Sequence, residues 1–468
     1  MTIDLTPFLG GHGPKYLSIA RALAEAVRHG VLAPGMRLPT HRELAETLGV
    51  SVQTVSRAYE QAEKSGLVQA RVGSGTWIRD AEGDSENEYL RAPAAVTDAA
   101  PIDLSIAHTV CPPSHHRRFR DALAELAKSA HADVIGACRP IAGLQHQRER
   151  ANAWLKERLG VPGETDDRLL CNGAAHGLML AIATVVQHGD IVLTETLTDH
   201  GLIALARTLG FQLHGVAIDE QGVIPEALEA AIVKFRPRAV CLTPTQLNPT
   251  GATMENARRD AVAEILLRHD VWLIEDDVHA LLEPAGLIPL TARLPQQSFH
   301  VTSLTKSTVP GLRAGYLSVP RGQMHHTLPR LRATSWMATP LIFELADYWL
   351  ASGMVDTLAH EQRQLLAERQ SLAARKLAGH AIESRPSSLH VWLALPEPWR
   401  AEELQQQARQ EGVAITTAQP FLVEQSAMPR RVRISLGAEP DLARLASGLD
   451  VLSQLLGEAP PPMLEIAY

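Results

Sequence analysis

Between Tyr16 and Arg28 apolar residues recur at Ile19, Leu23 and Val27, a four-residue spacing that lines one helix face, and Gly30 ends it. Thr40 and Glu43 bracket a capping box, in which hydroxyl and carboxylate can satisfy orphan amides reciprocally. The helix that follows, through Leu44 and Leu48, ends at Gly49. Ser51 caps a third helix from Val52 to Tyr59, with Val55 and Tyr59 turned inward and Gln53, Thr54 and Arg57 outward. Two short helices joined through Gly49, Val50 and Ser51 form a helix-turn-helix, whose second helix suits a major groove. From Leu67 to Ile78 two alternating runs flank a glycine turn, a β-wing that brings Arg71 and the amides of Gly73 to Thr76 near a phosphate backbone. On this pattern alone, a plain three-helix packing module with exposed polar residues fits as well.

The pattern then changes. Residues 81–101 are acidic, rich in small residues and aperiodic, which reads as a solvated linker. From Ile102 onward helical periodicity alternates with β-branched runs at Asp190–Thr194, Ala239–Thr243, Val271–Glu275 and Phe299–Thr302. Strands alternating with helices imply an α/β fold with a mostly parallel sheet, and ligands then bind beyond the strand carboxyl ends. The expected organisation is a head over 1–80, a linker over 81–101 and a body over 102–468. Within the body a large part spans about 145–350, and a smaller part combines 102–144 with 351–468.

Composition narrows the classes. A chain of 468 residues with 45 % hydrophobic and 21 % charged residues is globular and multidomain, and no run of 18 apolar residues offers a membrane span. The first residues, with an early acid and no apolar core, are not a signal peptide, so a cytoplasmic protein is expected. Cys111, Cys138, Cys171 and Cys241 show neither metal spacing nor a disulfide framework. Residues 1–80 hold nine Lys/Arg against seven Asp/Glu, which leaves −10 of the net −8 to the rest. A mildly basic head on an acidic body points to a nucleic-acid contact confined to the head, which charge alone does not establish. At 4 % aromatics no stacking platform for single strands is evident.

Four segments of the body carry chemistry, each following a strand. Asn172 to Gly177 places small residues ahead of a helix expected from Leu178 to Ala183, where backbone amides can meet an anion. Thr243 to Gly251 is a proline-fixed polar loop with Asn248 available to a phenolic oxygen. Glu275 to His279 sets Asp276 and Asp277 at a strand end, where an aspartate can bond a protonated pyridine nitrogen. A metal is the competing idea there, but two acids and one histidine lack a complete ligand set. In the fourth, Lys306 stands among Ser303, Thr305, Ser307 and Thr308, with Arg313 following. A partly deprotonated lysine traps carbonyls, and flanking hydroxyls and a guanidinium suit a phosphate, which together suggest pyridoxal 5′-phosphate held as a Schiff base. Taken alone, the first two segments read better as ordinary turns and the last as a surface lysine in a loop; it is their order along the chain that favours the cofactor.

Two resemblances organise these motifs. Residues 16–78, through Gly35–Arg42, Val50–Val55 and Gly73–Thr76, resemble the winged helix-turn-helix of GntR-type bacterial repressors. That resemblance assigns DNA contact to Arg37, Arg42, Gln53, Thr54, Arg57, Arg71, Gly73, Ser74 and Gly75; Val52 stands where the family often has arginine. Residues 102–455 resemble the fold type I aminotransferases dependent on pyridoxal phosphate. By position Lys306 would bind the cofactor covalently, Asp276 would pair with the pyridinium and Asn248 with the ring hydroxyl. Gly173, Ala174, Ala175, Ser303 and Arg313 would hold the phosphate, and Arg433 would clamp an effector carboxylate. Two departures stand out: the family's tyrosine is His279, expected to titrate nearer neutrality, and the stacking aromatic falls at Asp199 or His200.

A GntR-like head on an aminotransferase-like body resembles the MocR-type transcriptional regulators end to end. This implies a homodimer that binds double-stranded operator DNA and senses pyridoxal phosphate or a small amino compound condensing with it, with no metal. The alternative is an active aminotransferase carrying an accessory DNA-binding head. The outward Gln53, Thr54 and Arg57 favour the regulator.

Overall fold

The computed structural model describes residues 14–28, 32, 36–64, 67–71, 75–78, 101–129, 134, 136, 138–424 and 429–458. The chain divides into two compact units, residues 1–94 and 95–468. Gly30, Gly35, Gly73, Ser74 and the linker residues 81–100 lie outside the described residues, as does the side chain of Arg71.

In the first unit, helices α1 (Lys15–Arg28), α2 (His41–Leu48) and α3 (Val52–Lys64) precede the hairpin β1 (Val68–Arg71) and β2 (Gly75–Ile78). The Thr40 amide donates to Glu43 Oε2 at 2.8 Å and the Glu43 amide to Thr40 Oγ1 at 3.3 Å, which completes the capping box. Gly49 ends α2 in the left-handed region at φ 60°, where a side chain would be strained. Ile19, Leu23, Leu44, Val55, Tyr59, Val68 and Ile78 form one core, and the Tyr59 hydroxyl donates to Pro39 O at 2.8 Å. The wing pairs antiparallel from Val68↔Ile78 to Arg71↔Gly75.

The second unit starts with a short strand, β3 (Ile102–Asp103), and the helices Pro113–Ser129 and Gln145–Leu159. Strands β4 (Arg168–Asn172), β5 (Ile191–Glu195) and β6 (Gln212–Val216) come next, then a small hairpin of β7 (Ile218–Asp219) and β8 (Gly222–Val223). After them come β9 (Ala239–Leu242), β10 (Trp272–Asp276), β11 (Ser298–Ser303) and β12 (Ala314–Ser318). One seven-stranded sheet has the order β4-β12-β11-β10-β9-β5-β6. All its pairings are parallel except those of β12, antiparallel to both neighbours. Its inner strands are buried on both faces, as sheets covered by helices require, while the edge strand β6 is partly exposed; Leu193, Val240, Leu273 and Val301 have no accessible surface. Truncating either of these leucines to alanine costs about 2–5 kcal/mol.

The remaining strands are β13 (Ile382–Glu383), β14 (His390–Ala394), β15 (Val413–Ala414), β16 (Thr416–Thr417) and β17 (Arg431–Ser435). Four of them form a sheet in the order β13-β14-β17-β16, and β15 pairs with β3. Among the described residues no helix is long and apolar enough to cross a membrane. Two boundaries depart from expectation: α3 runs on to Lys64, five residues past Tyr59, and the helix after β4 begins early. The helix after β4 spans Ala174–Val185, starting four residues before Leu178, because Gly173 caps it at φ 82° and leaves both alanines helical.

Candidate functional site: a lysine pocket and an exposed helix

β10 and β11 run parallel, with Asp276 beside Val301, so the acid and the lysine that follows β11 emerge at the same sheet edge. Asp276 is buried, and its Oδ1 has no hydrogen-bond partner among the described residues. Burial, reinforced by Asp199, Asp277 and Glu195, pushes this carboxyl up to about 8, against the Val278 amide. An orphaned buried acceptor costs about 1–3 kcal/mol, so the site calls for a donor from outside the chain. The adjacent Asp277 is already engaged: it accepts from Thr245 Oγ1 at 2.7 Å and faces His300 Nε2 at 3.3 Å. Burial pushes the Asp277 carboxyl up, but His300, Arg259 and Thr245 outweigh it and hold the group below its ordinary range. Of the two neighbouring acids, Asp276 alone retains an open acceptor.

Lys306 Nζ donates to the Ala107 carbonyl at 2.7 Å. Burial draws its pKa below the ordinary lysine range; Asp199 and Asp276 push it back up, while Arg433 and Arg313 lower it further. A desolvated amine of this kind is a competent nucleophile toward a carbonyl. Asn248, buried in the loop after β9, donates from Nδ2 to Asp199 Oδ2 at 2.8 Å and accepts from Arg433 Nη1 at 2.8 Å. Two residues earlier Gln246 holds φ 49° without being glycine. Its side-chain Nε2 donates to Glu283 Oε1 at 2.8 Å and to Ser387 Oγ at 3.0 Å, contacts that keep the strained loop in one conformation.

Gly173, Ala174 and Ala175 open a helix of twelve residues, with its amides and dipole directed at the same edge. A Cβ added to Gly173 would come within 2.7 Å of Arg313 Nη2, and one on Gly315 within 2.5 Å of the Gly173 carbonyl carbon. Neither position admits another residue without displacement, and the guanidinium lies directly against the glycine. Buried Ser303 ends β11 opposite Gly315, and Thr305 Oγ1 is buried without a partner among the described residues. Hydroxyls, helix amides and a guanidinium at one place form a cradle suited to a phosphate.

Burial and the charge of Lys306 draw His279 down to about 4, so its ring is neutral near pH 7. This corrects the expectation that it titrates nearer neutrality. The ring remains able to donate a hydrogen bond, and its Nδ1 has no partner among the described residues. His200 is half-buried and edge-on to Phe421, with centroids 6.3 Å apart. Asp199, rather than His200, reaches the pocket loop through Asn248, and its Oδ1 accepts from the Gly201 amide at 2.8 Å to cap the helix His200–Leu209. Arg433 is fully buried on β17, its guanidinium 4.7 Å from the Phe421 ring and also bonded to the Ser105 carbonyl. The Ser105 and Ala107 carbonyls were not legible in the sequence. A backbone acceptor has no residue signature, and its partner is 199 residues away for Lys306.

On the first unit Arg42, Gln53 and Arg57 are exposed, and Gln53 and Arg57 share one face of α3. Thr54 is half-buried, its hydroxyl 2.7 Å from Ser51 Oγ. Arg37 is exposed, stacks 6.0 Å from the Trp77 ring and lies beside Gly75 at the wing. Val52 begins α3 with 43 % of its surface exposed, an apolar side chain in the place of a charged one.

A helix-turn-helix with a polar exposed face, and a lysine pocket at the carboxyl edge of a parallel sheet, define a DNA-binding unit joined to an aminotransferase-like body. The family of class I and II aminotransferases matches residues 85–452, and the gntR family of bacterial regulatory proteins matches residues 15–78. The chain is 30% identical over 448 residues, 95% of each chain, to the uncharacterized HTH-type transcriptional regulator YdeF of Bacillus subtilis. It is 28% identical to the HTH-type pyridoxine biosynthesis transcriptional regulator PdxR of Corynebacterium glutamicum, covering 85% of this chain and 87% of that one. Its fold is shared with an archaeal alanine:glyoxylate aminotransferase at a TM-score of 0.72 and 19% identity, over 85% of this chain and 99% of that one. The chain belongs to the aminotransferase class I and II family and, with its gntR head, to the MocR-type regulators of the GntR superfamily. It is a DNA-binding transcriptional regulator whose body is built to bind pyridoxal phosphate. The orphaned Asp276 oxygen, the Gly173–Arg313 cradle and the desolvated Lys306 all fit that group.

Proposed function

We propose that the body senses pyridoxal phosphate, or a small amino compound that condenses with it, and that binding there changes the affinity of the head for its operator. When bound, the cofactor supplies an electrophilic carbonyl and an electron-withdrawing ring. The chain's own residues have distinct tasks toward it. Lys306 offers its amine to the carbonyl, and Asp276 accepts from the ring nitrogen. Asn248 has one amide hydrogen on Asp199 and the other for the ring oxygen, beside the neutral His279. Ala174, Ala175, Ser303 and Arg313 meet the phosphate around Gly173, and Arg433 offers a bidentate guanidinium to an effector carboxylate. His200 flanks the pocket against Phe421.

The observation that carries this reading is the open acceptor on Asp276 in a pocket shared with Lys306, on a chain that also presents Gln53 and Arg57 on an exposed helix. The pyridoxine-linked name of one relative supports a signal of this chemistry. On the head, Arg37, Arg42, Gln53, Thr54, Arg57 and Gly75, with Arg71, Gly73 and Ser74, form the proposed operator contact. Arginine reads guanine edges, while amides and hydroxyls position the backbone. Paired half-sites make a homodimer the expected assembly, and a cytoplasmic location follows from the DNA target. Effector and operator are coupled by no more than the difference in affinity between two states, typically about 1–3 kcal/mol or roughly 5–150-fold.

Lys306→Ala tests the reading. The variant is expected to lose borohydride-fixable cofactor and the cofactor's effect on DNA affinity, while it still binds operator. A covalent adduct that persists elsewhere would overturn the assignment of Lys306. Sustained turnover of amino donors by the parent chain would favour the aminotransferase alternative.

A further inference from the structure

Strands β14 and β17 pair antiparallel with His390 opposite Ser435 and Trp392 opposite Arg433, so these four side chains share one face. The alternate residues Val391, Leu393, Val432 and Ile434 turn the other way, into an apolar core. On the shared face Arg433 bonds the Ser105 carbonyl and Ser435 the Ile106 carbonyl, and the next carbonyl, Ala107, accepts from Lys306 at 2.7 Å. Arg433 also reaches Asn248 in the pocket loop at 2.8 Å. That face therefore looks onto the lysine pocket. His390 is 2% exposed, and neither of its ring nitrogens has a hydrogen-bond partner among the described residues. Its backbone is held in place: Gln370 Nε2 donates to the carbonyl of Ser388 at 2.8 Å and to that of His390 at 3.0 Å. Each unmet buried group costs about 1–3 kcal/mol, a cost that a ligand with matching groups removes.

We propose that His390 is a specificity-determining residue for the effector: while Arg433 takes the carboxylate of an amino acid, the imidazole exchanges hydrogen bonds with a hydroxyl or carboxamide on that amino acid's side chain. This rests on the pyridoxal phosphate reading of the pocket and names the class of amino compound the pocket selects. Ser435 and Arg433 spend their donors on Ile106, Ser105 and Asn248, whereas His390 spends none. Burial, then Arg433, His279 and Lys306, hold the ring well below the ordinary histidine range, and the Pro249 carbonyl opposes them from outside hydrogen-bond geometry. A neutral imidazole has one N–H and one bare nitrogen, so it needs an acceptor and a donor together. Hydroxyl and carboxamide supply both. A second carboxylate leaves the bare nitrogen unmet, and a second ammonium leaves the N–H unmet and adds a cation beside Arg433. An alkyl chain meets neither nitrogen.

The test titrates near-isosteric pairs of amino acids into the cofactor-loaded, full-length chain and follows the visible absorbance: L-homoserine against L-norvaline, and L-asparagine against L-leucine. The parent should prefer the polar member of at least one pair by about tenfold or more. His390→Phe should abolish that preference, and His390→Gln, which keeps a donor and an acceptor, should restore part of it. Circular dichroism checks that each variant is folded, and His390→Leu takes the place of His390→Phe should the larger ring disrupt the core. Equal affinities within both pairs in the parent would overturn the proposal, as would a preference that folded His390→Phe or His390→Leu leaves intact, or no response to any of the four. A parent chain that retains no cofactor fails the pyridoxal phosphate reading instead. Titration calorimetry of the same amino acids on that chain then decides the role of His390 by the same comparison, with absence of binding counting against it.

Discussion

Asp276 and His279 stand three residues apart at the end of β10, and burial drives their titrations in opposite directions. The Asp276 carboxyl rises from 3.8 to about 8, so its contribution to stability is complete below 3.8 and is lost as pH rises to about 8. The His279 ring falls from 6.5 to about 4, so its contribution is present above 6.5 and is lost as pH drops toward 4. Between 6.5 and 8 the cofactor-free chain should therefore lose stability with rising pH through Asp276. Glu195, pushed up to about 7 mainly by burial, tilts the same way, and comparison with Asp276→Asn isolates the aspartate. Urea unfolding at both ends of that window should show up to about 2 kcal/mol more pH dependence in the parent than in the variant. Equal slopes would remove Asp276 from the account. The residue types of Lys306, Asp276 and Asn248 were legible in the sequence because carbonyl, pyridine and phenol chemistry each demand a particular side chain. What separates Asp276 from Asp277 was not, since it depends on which of two adjacent carboxylates His300 and Thr245 engage.

Elements carry the next constraint. The capping box, Gly49 and the wing alternation are local signals, and the head followed them closely. The helix after β4 begins a turn earlier than its apolar periodicity indicates, because two alanines and a histidine read as loop until Gly173 is seen as its cap. That glycine gives a prediction at this scale. Gly173→Ala forces a side chain into φ 82° and against Arg313, a strain of about 1–3 kcal/mol. Titration of cofactor-free protein should show pyridoxal phosphate binding weakened by roughly 5–150-fold, with little change for an amine lacking the phosphate. Equal weakening of both would point to general distortion instead of a phosphate cradle. On α3, Arg57→Ala should weaken operator binding and reduce the salt slope by about 1 if the guanidinium meets a phosphate, or relax base preference if it meets a guanine. The absorbance of bound cofactor should stay as it is. Unchanged operator affinity would take Arg57 off the interface.

At the scale of the whole molecule, an acidic chain with net charge −8 carries a small unit with exposed cations and a larger one with a lysine pocket. Strand–helix alternation was enough to imply the parallel sheet, because a parallel pair needs a crossover. The return of β12 as the antiparallel strand between β4 and β11 is set by long-range pairing, and periodicity carries no information about it. The same holds for the Ser105–Ala107 stretch, whose carbonyls Arg433 and Lys306 reach from distant parts of the chain. Two units on one chain make sense together if occupancy of one changes the work of the other. The most direct measurement is the affinity of the purified protein for the DNA upstream of its own gene, with and without pyridoxal phosphate, over a salt series. The account predicts specific binding that falls steeply with salt, as phosphate contacts require, and that shifts when the cofactor is added. Binding that ignores sequence, or specific binding that pyridoxal phosphate and amino compounds leave unchanged, would contradict it.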